Sequence, residues 1–335
     1  MKTLKIGIAG TGRIGKIHLE NILQRFLDVE IVLVADPTQE AKEYIHSKKL
    51  SYSDNYDDLI NHKQIDAIII CSPTDTHADF VAKAAKAGKQ IFCEKPLDLS
   101  LGRVTELLEI VKNSGVKLML GFNRRFDPNF LKVKSVVNSG KLGDLQLLKI
   151  TSRDPGPPPI SYIEVSGGLF MDMAIHDFDM ARYIMGKEVI EVYSRGAVLV
   201  DKAIGKAGDI DTALTTLIFE DGSMANIDNS RKAVYGYDQR LEVFGSGGMV
   251  KVDNNFPDNH QLYGADGIHG SLPLNFFLER YTVSYLNEIA AFFTSIRNDT
   301  DVMVSGIDGL SAMKIALAAK KSVNENRVVS IKEII

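Results

Sequence analysis

Leu4-Lys-Ile-Gly-Ile-Ala-Gly-Thr-Gly-Arg-Ile-Gly15, with the Glu30-Ile-Val-Leu-Val-Ala-Asp36 that follows it, decides the fold of this chain. Residues 4–9 form a short apolar strand, and glycines 10, 12 and 15 come directly after it. A helical pattern then runs through about Arg25, with Ile17, Leu19, Ile22 and Leu23 on its apolar side, before a second strand stops at Asp36. A lone GxGxxG is a weak signal. Set between strand and helix, with an acid 21 positions after the last glycine, it predicts a dinucleotide-binding βαβ unit. Gly10 permits the tight turn, Gly12 lets backbone approach a pyrophosphate, and Gly15 lets the helix lie close to the strand. Arg13 and Ile14 open the helix, whose unpaired N–H groups and partial positive charge face the phosphates. Asp36 would accept hydrogen bonds from both ribose hydroxyls and repel a 2′-phosphate, so the expected cofactor is NAD rather than NADP.

Outward from this unit the alternation continues. Residues 66–71 read as a buried strand, 76–86 as a helix and 90–93 as a strand; a long amphipathic helix starts at Ser100, and a strand over 117–121 closes the set. Apolar strands alternating with helices predict an α/β, doubly wound parallel sheet whose ligand site lies at the carboxyl ends of its strands. Three loops lie there: 10–15, Ser72-Pro-Thr-Asp-Thr-His77, and Glu94-Lys95-Pro96. Ser72, Thr74, His77, Glu94 and Lys95 are therefore candidate cofactor contacts. The residue before a proline favours an extended backbone, which points Lys95 along its strand. An ammonium there would stabilise negative charge on a substrate oxygen, although a lysine after a strand is as often simply solvated.

The pattern changes after Phe122. Gly121-Phe-Asn-Arg-Arg-Phe-Asp127 ends the alternation, giving a first domain over 1–122 and a second over 123–335, with packing of its last helix and strand back on the first left open. Residues 145–153 read as a strand, and longer strands follow over 189–200, 211–219, 223–229, 239–244 and 249–252, with hairpin signals at Asp221-Gly222 and Ser246-Gly-Gly248. These predict an α+β domain with a mostly antiparallel sheet, open on one face and suited to an oligomer interface. Between the first two strands, a helix from about Leu169 would carry Asp172, His176 and Asp179 on one stripe at i, i+4 and i+7. A polar triple on an otherwise apolar helix needs a cleft or partners, so it is either a reactive site or a structural pair. Residues 253–271 read as a long polar loop with no assigned role.

With 335 residues, 45 % of them apolar, the chain has material for two ordinary cores. A net charge of −4 gives no footprint for nucleic acid or an anionic membrane. Cys71 and Cys93 are too few for a disulfide framework or a zinc site, so no metal is expected. The first residues enter a strand at once, leaving no signal peptide, and a cytoplasmic protein is expected.

Four segments together carry a resemblance: Gly10–Gly15, Glu94-Lys95-Pro96, Gly121–Asp127, and Gly167-Gly-x-x-x-Asp172-x-x-x-His176-Asp-x-Asp179. Over essentially its whole length the chain resembles the glucose-fructose oxidoreductase/inositol dehydrogenase/rhizopine-catabolism (Gfo/Idh/MocA) family. Within that family the bacterial myo-inositol 2-dehydrogenases are most similar, through Ser152-Arg-Asp-Pro155 and the string 228–240. The resemblance implies an NAD-binding Rossmann domain and a C-terminal domain that shapes the substrate pocket and a homotetramer. It places the catalytic residues at Lys95, Asp172 and His176. Substrate contacts would add Arg124, Asp154 and Tyr235, with Asn123 near the nicotinamide. In such a site a neutral imidazole, with an ordinary pKa of about 6.5, takes the hydroxyl proton while Asp172 fixes its tautomer. The expected reaction is NAD-dependent oxidation of a cyclic polyol, myo-inositol foremost. Alternatives are another inositol isomer or sugar, an NAD-dependent glycosidase of the same fold, and a non-enzymatic NAD-linked sensor.

Overall fold

The computed structural model describes residues 3–335. Its first compact unit runs to Asn123 and also takes in Tyr285–Ser311; the second comprises Arg124–Ser284 and Ala312–Ile335.

In the first unit, strands β1 (Leu4–Ala9), β2 (Val29–Ala35), β3 (Tyr52–Ser53), β4 (Ala67–Ile70), β5 (Gln90–Cys93) and β6 (Leu118–Leu120) form one parallel sheet in the order β3-β2-β1-β4-β5-β6. Ile6, Ile8, Ile68, Ile69 and Ile70 are fully buried, as strands covered on both faces require. The strand order reverses between β1 and β4, so the loops after these strands flank the switch point. They touch there: a Cβ on Gly10, whose φ is +86°, would lie 2.6 Å from the Cys71 carbonyl oxygen. A Cβ on Gly15 would lie 2.1 Å from the Gly10 carbonyl oxygen, so the helix Arg13–Arg25 packs this closely only with glycine there.

The sequence division at 122/123 leaves the returning segment in the wrong unit. Residues 285–311 belong with the first, because the helix Thr282–Asn298 carries fully buried Ile289, Phe292 and Phe293, whose rings meet Phe92 and Phe26. The last strand, by contrast, joins the sheet of the second unit.

That sheet contains β7 (Leu145–Arg153), β8 (Val189–Ala197), β9 (Thr212–Phe219), β10 (Met224–Ser230), β11 (Asp238–Gly245), β12 (Gly248–Val252) and β15 (Val329–Ser330), in the order β12-β11-β7-β10-β9-β8-β15. Only β7 and β10 pair in parallel. The expected mostly antiparallel sheet is present. Alternation along the strands turns Leu148, Ile150, Ala225, Ile227, Leu217 and Val243 inward. On the other face, Met249, Phe244, Leu147, Met224 and Ile218 stand directly opposite one another in register, and the first four are exposed. The stretch 253–271, read from sequence as one loop, contains a hairpin of β13 (Gln261–Gly264) and β14 (Gly267–Gly270). It bears exposed Leu262, Tyr263 and Ile268, too short and mixed a pattern to stand out among the surrounding Gly, Asn and Asp.

The predicted single helix from Leu169 is two, Gly168–Asp172 and Ile175–Met185. Ala174 N donates to Leu169 O, five residues back, at 2.9 Å, and Asp177 N donates to Ala174 O, three back, at 2.9 Å. One wide turn is followed by one tight one, an interruption common at functional sites. Asp172 thus ends one helix and His176 lies in the first turn of the next.

Candidate active site

At the switch point of the first unit, Gly12 and Arg13 are exposed, and nothing lies within 4 Å of where a Cβ on Gly12 would stand. The 13-residue helix beginning at Arg13 has no acidic side chain in its first turn to compete for an anion. Asp36 directly follows β2 and is buried. Its Oδ2 accepts from Thr11 N and Oγ1 at 2.8 and 3.1 Å, and its Oδ1 accepts from Thr38 N and Oγ1 at 3.0 and 2.8 Å. Burial alone would raise its pKa, but these four donors outweigh burial and hold it below the ordinary carboxylate value. A ribose diol would take the places of the two threonine hydroxyls on an anionic carboxylate. These residues fit a dinucleotide.

Of the other predicted cofactor residues, Ser72 bonds Thr76 Oγ1 at 2.6 Å, and Thr74 opens the helix Thr74–Lys86. His77 does something the sequence did not reveal. Its Nδ1 lies 2.8 Å from Pro96 O and its Nε2 2.8 Å from Ser72 O, with the ring buried. It therefore ties the Ser72 loop to the Glu94-Lys95-Pro96 loop. Lys95 is half-buried, and Asn123 is buried.

In the second unit, the polar residues sort into a pinned group and a clustered one. Arg124, Arg125 and Asp127, consecutive but for Phe126, each form a buried ion pair. Arg124 bonds Asp177, Ser152 and Tyr237; Arg125 clasps Asp179 at 2.6 and 2.8 Å; Asp127 takes Arg280 while capping the helix Pro128–Asn138. Burial raises the Asp177 pKa, against the pull of Arg124 and Asn229. Arg124, predicted to hold substrate, thus directs its guanidinium into the protein, and Asp179 is a structural partner rather than a member of a reactive stripe.

The clustered group centres on Asp172. Its Oδ1 accepts from Tyr162 Oη at 3.0 Å and its Oδ2 from Arg231 at 3.0 Å. The same Arg231 nitrogen lies 3.8 Å from Asp154 Oδ2. Burial pushes Asp154 up to about 6, with Arg231 pulling it down and Asp172 pushing it up again. His176 is half-buried, one turn along from Asp172. Tyr235 stands apart: its hydroxyl donates to Asp238 at 2.6 Å and accepts from Arg153 at 3.1 Å. Arg231 and Tyr162 are the residues the sequence did not single out. Arg231 sits inside the 228–240 string, but nothing local marks an arginine as the partner of a carboxylate 59 positions away.

A Rossmann sheet with an open glycine turn and an anionic ribose acceptor, joined in one chain to a sheet domain bearing the Asp172–Arg231–Asp154 cluster, fits an NAD-linked oxidoreductase. The family model for the oxidoreductase family, NAD-binding Rossmann fold, matches residues 4–122, and that for the GFO/IDH/MocA C-terminal domain matches 130–251. An uncharacterized oxidoreductase, YrbE, of Bacillus subtilis is 51 % identical over 98 % of this chain and 97 % of its own. A myo-inositol 2-dehydrogenase of Thermotoga maritima is 49 % identical over 99 % of this chain and 100 % of its own. Among solved structures, scyllo-inositol dehydrogenase of Lactobacillus casei, with bound NAD(H) and scyllo-inositol, superposes with a TM-score of 0.92 at 32 % identity, covering 99 % of this chain and 100 % of that one. The chain belongs to the GFO/IDH/MocA oxidoreductase family.

Proposed function

We propose that this enzyme oxidises a ring hydroxyl of a cyclic polyol, myo-inositol at its 2-position foremost, to the ketone. The observation that carries this is the Asp172 carboxylate held on both oxygens, with Asp154 beside it, in a chain similar from end to end to inositol dehydrogenases. NAD, when bound, accepts the hydride. His176 takes the hydroxyl proton, Asp172 orients and steadies the imidazolium, and the Lys95 ammonium stabilises the alkoxide as the C–H bond breaks. Asp154 accepts from the substrate's hydroxyls, with the buried Arg231 behind it holding Asp172, and a site built to hydrogen-bond hydroxyls discriminates strongly against deoxy analogues.

The test is a screen for NAD reduction with myo-, scyllo- and D-chiro-inositol, glucose and xylose, repeated with NADP. Myo-inositol with NAD should give the highest kcat/KM; no reduction with any polyol would end the proposal. His176→Ala should slow hydride transfer by about 100- to 10,000-fold with NAD affinity little changed, measured by single-turnover kinetics and cofactor titration.

A homotetramer is part of the same proposal. The exposed apolar row across β12, β11, β7, β10 and β9 is a self-complementary kind of surface, and a second copy is its natural cover. We also place the enzyme in the cytoplasm, where an NAD-linked dehydrogenase meets its cofactor pool; both cysteines are free. Among the described residues no helix is long and apolar enough to cross a membrane.

A further inference from the structure

Inside the first unit lies a cluster of ionisable groups that the proposed chemistry does not use. His18, on the helix that opens at the glycine turn, is fully buried. Its Nε2 lies 3.1 Å from Glu94 Oε1 and 3.7 Å from Glu288 Oε1. Phe92 and Tyr285 present ring edges to the imidazole at 5.2 and 5.9 Å between centroids, and the Cys71 thiol completes the surroundings, its sulfur within 4.8 Å of the His18 and Glu94 ligand atoms. The place is built for Glu94: a Cβ on Gly121 would lie 2.7 Å from its carboxylate.

Glu288 is fully buried, and neither of its carboxylate oxygens has a hydrogen-bond partner among the described residues. An ionised carboxylate in that position would be expensive. Burial, then the charge of Glu94, push its pKa well above the ordinary value. The remaining titratable neighbours, Cys71 and Cys93, are pushed upward too, burial first and Glu94 next, and stay neutral thiols. With His18 Nδ1 buried and unpartnered, the arrangement calls for an imidazole that donates through Nε2 to Glu94.

We propose that His18 is a positioning residue, with Glu288 as the buried group backing its Nε2: His18 fixes the Glu94 carboxylate and, through the peptide link to the next residue, the Lys95 ammonium. Because His18 stands on the helix whose first turn faces the cofactor phosphates, the same contact ties the dinucleotide loop to Lys95. This rests on the role assigned to Lys95 above.

The test compares His18→Leu, Glu288→Ala, Glu288→Gln and Lys95→Met in the full-length enzyme, each checked for folding by circular dichroism. His18→Leu should lower kcat for the best polyol by about 10- to 100-fold, as a displaced reacting group does, with NAD affinity within about threefold. Glu288→Gln, a neutral group of the same shape, should recover most of what Glu288→Ala loses. His18→Leu added to Lys95→Met should cost nothing further in kcat, since both act through one ammonium. Three results would overturn the inference: full additivity of that pair, a Gln variant as damaged as the Ala variant, or a His18→Leu enzyme that loses only NAD affinity. Should Lys95→Met itself transfer hydride at the wild-type rate, the parent assignment fails instead, and the double variant then reports on His18 alone.

Discussion

Asp154 is the residue whose protonation the fold controls most openly. Its side chain is mostly buried, and its pKa stands at about 6 against an ordinary 3.8. The folded protein holds this proton more tightly than the unfolded chain, so the group takes stability away as pH rises from about 4 through about 6. Asp154→Asn should remove that loss. The variant should unfold at a higher temperature than wild type at pH 7.5, by the equivalent of about 3 kcal/mol, and the difference should vanish near pH 3.5. Thermal melts at the two pH values check this, and a parallel pH dependence in both proteins would contradict it. The same substitution should raise KM for the polyol, because the carboxylate would no longer accept from a hydroxyl. Stability gained and affinity lost in one change is the signature expected of a binding residue.

At the scale of elements, the decisive feature is the interrupted helix between Gly168 and Met185. Gly168 has φ +81°, and a Cβ there would lie 2.5 Å from the Asp209 carboxylate, which receives the Leu169 N–H at 2.9 Å. Gly168→Ala should therefore lose about 1–2 kcal/mol from the left-handed backbone alone. It should also dislodge Asp209, lowering Tm by several degrees and turnover with it, measured by calorimetry and initial rates. The position of this helix pair was legible in the sequence, but its break was not. Periodicity sees that Asp172, His176 and Asp179 are spaced for one face; it does not see that Asp177 and Asp179 are drawn to Arg124 and Arg125 some fifty positions earlier. The strands and the glycine turn were readable because their causes are local: pleat alternation, and backbone approaches only glycine permits. Arg231, Tyr162 and the His18–Glu288 contact were not, because each is a pairing across the fold of residues unremarkable where they stand.

For the whole molecule, the exposed row on the second sheet sets a further expectation. Phe244 and Leu147 face each other across β11 and β7 with Met224 beside them. Phe244→Asp should leave the fold intact, since the ring is exposed, yet shift a tetramer to smaller species in light scattering coupled to gel filtration. An unchanged mass would remove this face from the interface. The discontinuity of the first unit has a different kind of consequence. Phe292 and Phe293 reach Phe92 and Phe26 only because the chain comes back after more than 160 residues. A single crossover near residue 123 between two relatives would unite a nucleotide-binding front with another parent's returning helix, and those aromatic contacts would have to match by chance. Chimeras of this enzyme, whether bred in the laboratory or by recombination in nature, should survive with two crossovers far more often than with one.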